Sequence, residues 1–100
     1  MCLLFQGVSN LTFLDLSDNQ INEISSGVFK SLALSLRVLK LSGNRLRFTQ
    51  LGALEDLKVL RELDLSSNLL SGPLGPFALP RMPALRSLRM THNQLTLIRR

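Results

Sequence analysis

Three arginines recur at one position of a repeating pattern and could bind an anion. Arg37, Arg61 and Arg86 follow one another at intervals of 24 and 25 residues, and Thr12 holds the equivalent position before them. Guanidinium groups bind carboxylate, sulfate or phosphate groups through paired hydrogen bonds. Three neighbouring cations also repel one another unless carboxylates or an anionic partner offset them. The sequence therefore predicts either an anion-binding site or ordinary surface charge.

Three further sets of residues recur with the same period and are candidates for ligand contacts. One set alternates in sign, which is typical of a solvated ladder of weak ion pairs and also fits a polar docking strip. It consists of Asp15, Lys40, Asp64 and Arg89. The other two sets are Phe13, Val38, Glu62 and Ser87, and Ser17, Ser42, Ser66 and Thr91. We predict that all of these residues face a partner protein.

The sequence offers little for catalysis or metal binding. His92 is the only histidine and Cys2 the only cysteine, so no cluster of nitrogen and sulfur ligands can form. We expect His92 to be a surface or turn residue, and the acidic pair Glu55 and Asp56 to solvate a helical turn. We therefore predict that the chain is not an enzyme and uses no cofactor or metal. Asn10 opens the tripeptide Asn-Leu-Thr, the acceptor pattern for N-glycosylation of secreted proteins.

A repeat determines the elements that position these residues. The pattern LxxLxLxxNxL occurs four times, and its asparagines are Asn19, Asn44, Asn68 and Asn93. A fixed period of this size indicates a solenoid, in which successive coils stack on one another. The alternating leucines of each copy predict a short strand with those side chains directed inward. The asparagine amide both donates and accepts, so we expect it to satisfy backbone groups where the chain leaves the strand.

The repeat also predicts the organisation of the chain. We divide it into a partial repeat at residues 1–10, full repeats at 11–35, 36–59 and 60–84, and a partial repeat at 85–100. Residues 51–60 carry apolar residues three apart, which predicts a short 3₁₀ or α segment on the return path. Residues 71–83 are rich in glycine and proline, which predicts an extended, turn-rich return.

Composition bounds the remaining classes. The chain has 100 residues, of which 45% are hydrophobic, so it can bury one core. Its net charge of +5 favours anionic neighbours without identifying them. The longest apolar run, Met1 to Phe5, is too short to cross a bilayer, and the sequence predicts neither a membrane-spanning segment nor a secretion signal.

These repeats resemble the leucine-rich repeat family across essentially the whole chain. Residues 11–32, LTFLDLSDNQINEISSGVFKSL, are similar to the typical subclass of about 24 residues that occurs in Toll-like receptors, Slit proteins and small proteoglycans. Residues 68–75, NLLSGPLG, resemble the plant-type variant. The resemblance implies an α/β solenoid in the form of a horseshoe segment. It also implies a short parallel sheet on the concave face, an irregular or 3₁₀ convex side, and partner binding on the concave face.

The family resemblance also implies capping elements, and the sequence contains none. A coil without a cap exposes its leucines. We therefore expect an array that is uncapped at both ends, a piece of a longer protein that is only marginally stable alone.

We predict a protein-recognition module of a receptor or matrix-type protein, outside the cell, that binds a protein ligand through its concave face. An intracellular scaffold with the same repeats is one alternative. Another is a binder of anionic polymers, such as nucleic acid or glycosaminoglycan, through Arg37, Arg61 and Arg86. No aromatic residues interleave with those arginines, so stacking of single-stranded bases is not supported.

Overall fold

A parallel sheet of four short strands forms one face of the protein. The computed structural model describes residues 10–47, 51–73 and 80–96. The strands are β1 (Phe13–Asp15), β2 (Val38–Lys40), β3 (Glu62–Asp64) and β5 (Ser87–Arg89), and they lie side by side in that order. Each strand is the central part of one copy of the repeat pattern, so the predicted parallel sheet is confirmed. Most of the predicted partial repeat at 1–10, including Cys2, lies outside the described residues.

The inward leucines form a column that is the centre of the core. The strand register aligns Leu14, Leu39, Leu63 and Leu88. Leu39 and Leu63 are 0% and 2% exposed, whereas Leu14 is half-buried and Leu88 is 36% exposed. An inner coil has a described neighbour on both sides and an outer coil on one, which explains this gradient. Each coil therefore removes its leucines from water by packing against the next.

The return segments on the convex side are short and tightly wound. Lys30–Leu32 and Gly52–Asp56 are 3₁₀ helices. Phe29, Leu32 and Leu54, which lie in or beside them, are fully or almost fully buried. The predicted helical segment within residues 51–60 is confirmed, and the acidic pair Glu55 and Asp56 lies at its end.

The third return contains an element that the sequence did not predict. Strand β4 (Ser71–Pro73) pairs in parallel with β6 (Gln94–Thr96), forming a second sheet of two strands. An extended path was expected here, but its pairing with the next coil was not. A proline is tolerated at this place because β4 is an edge strand and Pro73 is its last residue. Residues 74–79 lie outside the described part of the chain.

No helix in residues 10–47, 51–73 and 80–96 has the length and apolar character needed to span a membrane.

Candidate binding face

A ladder of asparagine side chains fixes the alignment of the coils. The Asn44 Nδ2 atom donates to the Leu41 carbonyl of its own coil at 2.9 Å and to the Leu16 carbonyl of the preceding coil at 3.1 Å. Its Oδ1 atom accepts from the backbone N–H groups of Asn19 at 3.1 Å and Ile21 at 2.9 Å. One amide therefore satisfies backbone groups on two coils.

The ladder continues through the next two coils. Asn68 Oδ1 accepts from the Leu46 N–H at 3.0 Å, and Asn93 Oδ1 accepts from the Asn68 N–H at 3.0 Å. Asn68 is 6% exposed, so its hydrogen bonds are formed away from water. Hydrogen bonds of these asparagine side chains therefore connect each coil to the next. Because the same links recur between each pair of successive coils, the side chains on the sheet are held in straight rows.

The residue before each ladder asparagine adopts a left-handed backbone conformation, which the sequence reasoning missed. The φ angles are 60° at Asp18, 71° at Gly43, 56° at Ser67 and 57° at His92. A glycine, an aspartate and a histidine at this position were the available signal, because these types enter the left-handed region more readily than most. His92 is exposed and lies in a turn, as predicted.

The row next to the inward leucines contains an exposed aromatic side chain, that of Phe13. Phe13 is paired with Val38, Val38 with Glu62, and Glu62 with Ser87. Phe13 is 51% exposed, and Val38 is half-buried. An apolar pair therefore lies at the β1 end of the row and polar side chains lie at the other end.

The row of alternating charges is arranged differently from a ladder of ion pairs. Asp15 Oδ1 accepts from the Ser17 N–H at 2.9 Å, and Asp64 Oδ1 accepts from the Ser66 N–H at 3.0 Å. The Lys40 ammonium lies 5.6 Å from the centroid of the Phe13 ring, within the range of a cation–π contact. The aspartates therefore bond to the backbone at the ends of their own strands.

The pKa of Asp15 lies below its ordinary value of 3.8. The largest cause is the hydrogen bond from the Ser17 side chain, followed by the bond from the Ser17 backbone N–H; burial opposes both, and the charge of Lys40 adds a smaller lowering. Hydrogen bonds that are donated to a carboxylate favour its ionised form.

The two predicted rows around the leucine column enclose an open depression, here called the strand depression. Its volume is about 410 Å³. It is lined by Val38, Leu39, Lys40, Glu62, Leu63, Asp64, Ser87 and Arg89. Beyond it, the row of hydroxyl side chains includes Ser66, whose Oγ atom accepts from the Thr91 N–H at 3.2 Å and the Thr91 hydroxyl at 3.0 Å. Ser17 and Ser42 are half-buried in the equivalent positions.

The three arginines come together at the start of the strands. The Arg61 N–H donates to the Arg37 carbonyl at 2.8 Å, and the Arg86 N–H donates to the Arg61 carbonyl at 2.8 Å. The three residues are exposed and line a second depression of about 390 Å³, here called the arginine depression. Asn10 and Thr12 of the predicted glycosylation tripeptide lie before β1, and both are exposed.

In the part of the chain that the structure describes, no group of three or more His, Cys, Asp or Glu residues is placed to hold a metal ion. The geometry that remains is an open face with rows of varied, solvent-accessible side chains.

Comparison with known proteins identifies relatives with the same repeats. The leucine rich repeat family profile matches residues 3–46 and 34–95. The mouse protein transforming growth factor beta activator LRRC32 is 43% identical over 90% of this chain, and mouse podocan-like protein 1 is 37% identical over 94%. The rat leucine-rich repeat-containing G-protein coupled receptor 5 is 38% identical over 88%. The chain spans only 14%, 16% and 9% of the lengths of these three proteins.

Proposed function

The chain belongs to the leucine-rich repeat family, and on that premise we propose that it is a protein-recognition module whose partner binds on the concave face. One observation carries the proposal: the strand register places unlike, solvent-accessible side chains in rows around an open depression. Burial of the leucine column fixes the backbone, so the exposed residues between the leucines are free to vary without loss of the fold. Such a surface determines specificity through its side chains.

The relatives support recognition rather than catalysis. By their names they are an activator of a growth factor, a podocan-like protein and a receptor. We propose that this chain acts in a receptor or matrix-type protein outside the cell, and that its partner is a protein. An intracellular scaffold is the alternative.

The exposed Phe13 with Val38 supplies the apolar anchor for such a partner. Aromatic side chains supply much of the binding energy in protein interfaces, and they do so best where neighbouring groups exclude water. The charged and hydroxyl side chains on the other strands would supply the polar surroundings.

Photo-crosslinking tests this proposal. A photoreactive phenylalanine analogue replaces Ser87, which is exposed on β5, and in a control protein replaces Lys58, which is exposed on a return segment. We expect a crosslinked secreted protein from position 87 and none from position 58. A partner crosslinked only from position 58 would refute the concave site. A cytosolic partner crosslinked from position 87 would retain the site and favour the scaffold.

A further inference from the structure

The arginine depression carries an excess of positive charge that the described part of the protein leaves uncompensated. Its lining residues include three cations, Arg37, Arg61 and Arg86, and one anion, Glu62. None of these guanidinium groups lies within 4.0 Å of a carboxylate oxygen in the described residues. The lining therefore has a net charge of +2, from three cations and one anion.

The spacing of the arginines makes them act together. Neighbouring strands lie about 4.8 Å apart, so the outer two arginine positions are separated by about 10 Å. This distance is close to the Debye length of about 8 Å at physiological ionic strength. A ligand that neutralises all three charges at once relieves their mutual repulsion. Planar guanidinium groups favour ligands with carboxylate, sulfate or phosphate oxygens.

Glu62 distinguishes between two classes of anionic ligand. It follows Arg61 in the chain, is exposed, and is a lining residue of the same depression. A polymer with uniform negative charge would place an anion against this carboxylate. A protein segment can instead place carboxylates beside the arginines and a lysine, an arginine or a backbone N–H opposite Glu62. Val38 in the same lining also offers an apolar contact, which a protein side chain can use.

The adjoining strand depression supports the protein segment. The two depressions share Val38, Glu62 and Ser87 in their linings, so they form one continuous surface across the strands. The charges of the strand depression alternate in sign: Lys40, Asp64 and Arg89 follow one another from strand to strand. A partner with both signs of charge matches this surface, whereas a polyanion meets repulsion at each carboxylate.

We infer that the arginine depression receives an acidic segment of the partner protein, one that carries a cationic residue between its carboxylates to face Glu62. This inference rests on the proposed function, and it identifies the chemistry of the partner at that site. The segment lies across the strands, along the row of Arg37, Arg61 and Arg86.

Three anionic probes that are matched in net charge by their length test the inference. They are a peptide of aspartates interrupted by one lysine, a peptide of aspartates alone, and a heparin-derived oligosaccharide. Binding to the native protein is measured by fluorescence anisotropy at several salt concentrations. We expect the interrupted peptide to bind more tightly than the other two, with an affinity that falls as salt rises.

Two variants and one control complete the experiment. Replacing Arg37, Arg61 and Arg86 together with alanine should weaken the interrupted peptide by about tenfold or more, since it removes three exposed charge pairs. Glu62→Gln should weaken the interrupted peptide and tighten the all-aspartate peptide and the oligosaccharide. Lys58→Ala, which removes an exposed cation on a return segment, should change none of the affinities. Circular dichroism spectra confirm that each variant is folded.

Several results would overturn the inference. These are no salt-sensitive binding of any probe, an unchanged affinity of the triple variant, or tighter binding of the interrupted peptide by Glu62→Gln. Preferential binding of the oligosaccharide would assign the depression to an anionic polymer instead. The proposed function fails separately, because it depends on crosslinking of a partner from Ser87, which the triple arginine variant can retain.

Discussion

The side chain of Asn68 should contribute more to stability than most buried leucine methyl groups. Its Oδ1 atom accepts from the Leu46 N–H, and its Nδ2 atom donates to the carbonyls of Leu41, Leu65 and Ser66 at 2.9–3.1 Å. Leu46 is 0% exposed, so Asn68→Ala leaves its N–H buried without a described acceptor. An unsatisfied buried donor costs about 1–3 kcal/mol.

The three donated bonds add less, because their acceptors keep other partners. The Leu41 carbonyl retains Asn44, and the Leu65 carbonyl retains Asn93. Allowing about 0.5 kcal/mol for each of the three lost bonds, we expect Asn68→Ala to lower the free energy of unfolding by about 2.5–4.5 kcal/mol in total. Asn19→Ala is the matched control. Asn19 is exposed, and within the described residues its amide donates to carbonyl groups of its own coil, so we expect a loss of about 0.5–1 kcal/mol there.

Urea unfolding followed by circular dichroism measures both losses, and amide hydrogen exchange at Leu46 reports the orphaned donor directly. Asn68→Asp tests the donor role of the amide separately from its acceptor role. The aspartate keeps an oxygen that can accept from the Leu46 N–H, but its second oxygen replaces the amide nitrogen and faces three carbonyl oxygens. This arrangement should raise the pKa of the introduced carboxyl in the folded state. The variant should therefore be most stable below the unfolded value of about 4 and lose stability as pH rises through the folded pKa. Equal losses for Asn68→Ala and Asn19→Ala would refute the ladder as a source of stability.

Three further predictions concern the backbone, the charges and the core. Gly43→Ala should lower the free energy of unfolding by about 1 kcal/mol, because the backbone there is left-handed and a Cβ atom would meet the Asp18 carboxylate. Gly52→Ala is the control and should be nearly neutral, because no atom lies near its Cβ position. Chemical unfolding compares the two variants. Because the pKa of Asp15 is lowered in the folded state, its contribution to stability is present above pH 3.8 and is lost as the pH falls through the folded pKa. An NMR titration of that carboxyl should give a pKa below 3.8, and a pKa at or above 3.8 would contradict this prediction. Leu63→Ala should cost about 2–5 kcal/mol because the side chain is almost fully buried, and a cost below about 1 kcal/mol would contradict the packing described above.

The parts of the fold that depend on spacing could be predicted from the sequence. Alternating leucines determine which side chains enter the core, and the period determines which strands are neighbours. For this reason the parallel sheet and the helical turn within residues 51–60 are confirmed. The pairing of Ser71–Pro73 with Gln94–Thr96 could not be predicted, because it depends on backbone groups that no side-chain pattern marks.

The arrangement of the candidate site was only partly predictable. Membership of the rows followed from the period, but the direction of each side chain did not. Asp15 accepts a hydrogen bond from the backbone N–H of Ser17, and the Lys40 ammonium lies over the Phe13 ring. Both side chains are flexible, and the period of the repeat does not determine which nearby group each one contacts. The depression around Arg61 could not be predicted, since its lining residues come from three different coils. The binding roles of the row residues and the repeat boundaries stay predictions.

Hydroxyl-radical footprinting of the native protein, with and without the partner that crosslinking identifies, tests the concave site most directly. The chain provides two readily oxidised side chains in suitable places: Phe13, 51% exposed on β1, and Leu34, 82% exposed after the Lys30–Leu32 helix. If the partner binds the concave face, oxidation of Phe13 should fall on binding while oxidation of Leu34 stays unchanged. Protection of Leu34 with no change at Phe13 would contradict the proposed function.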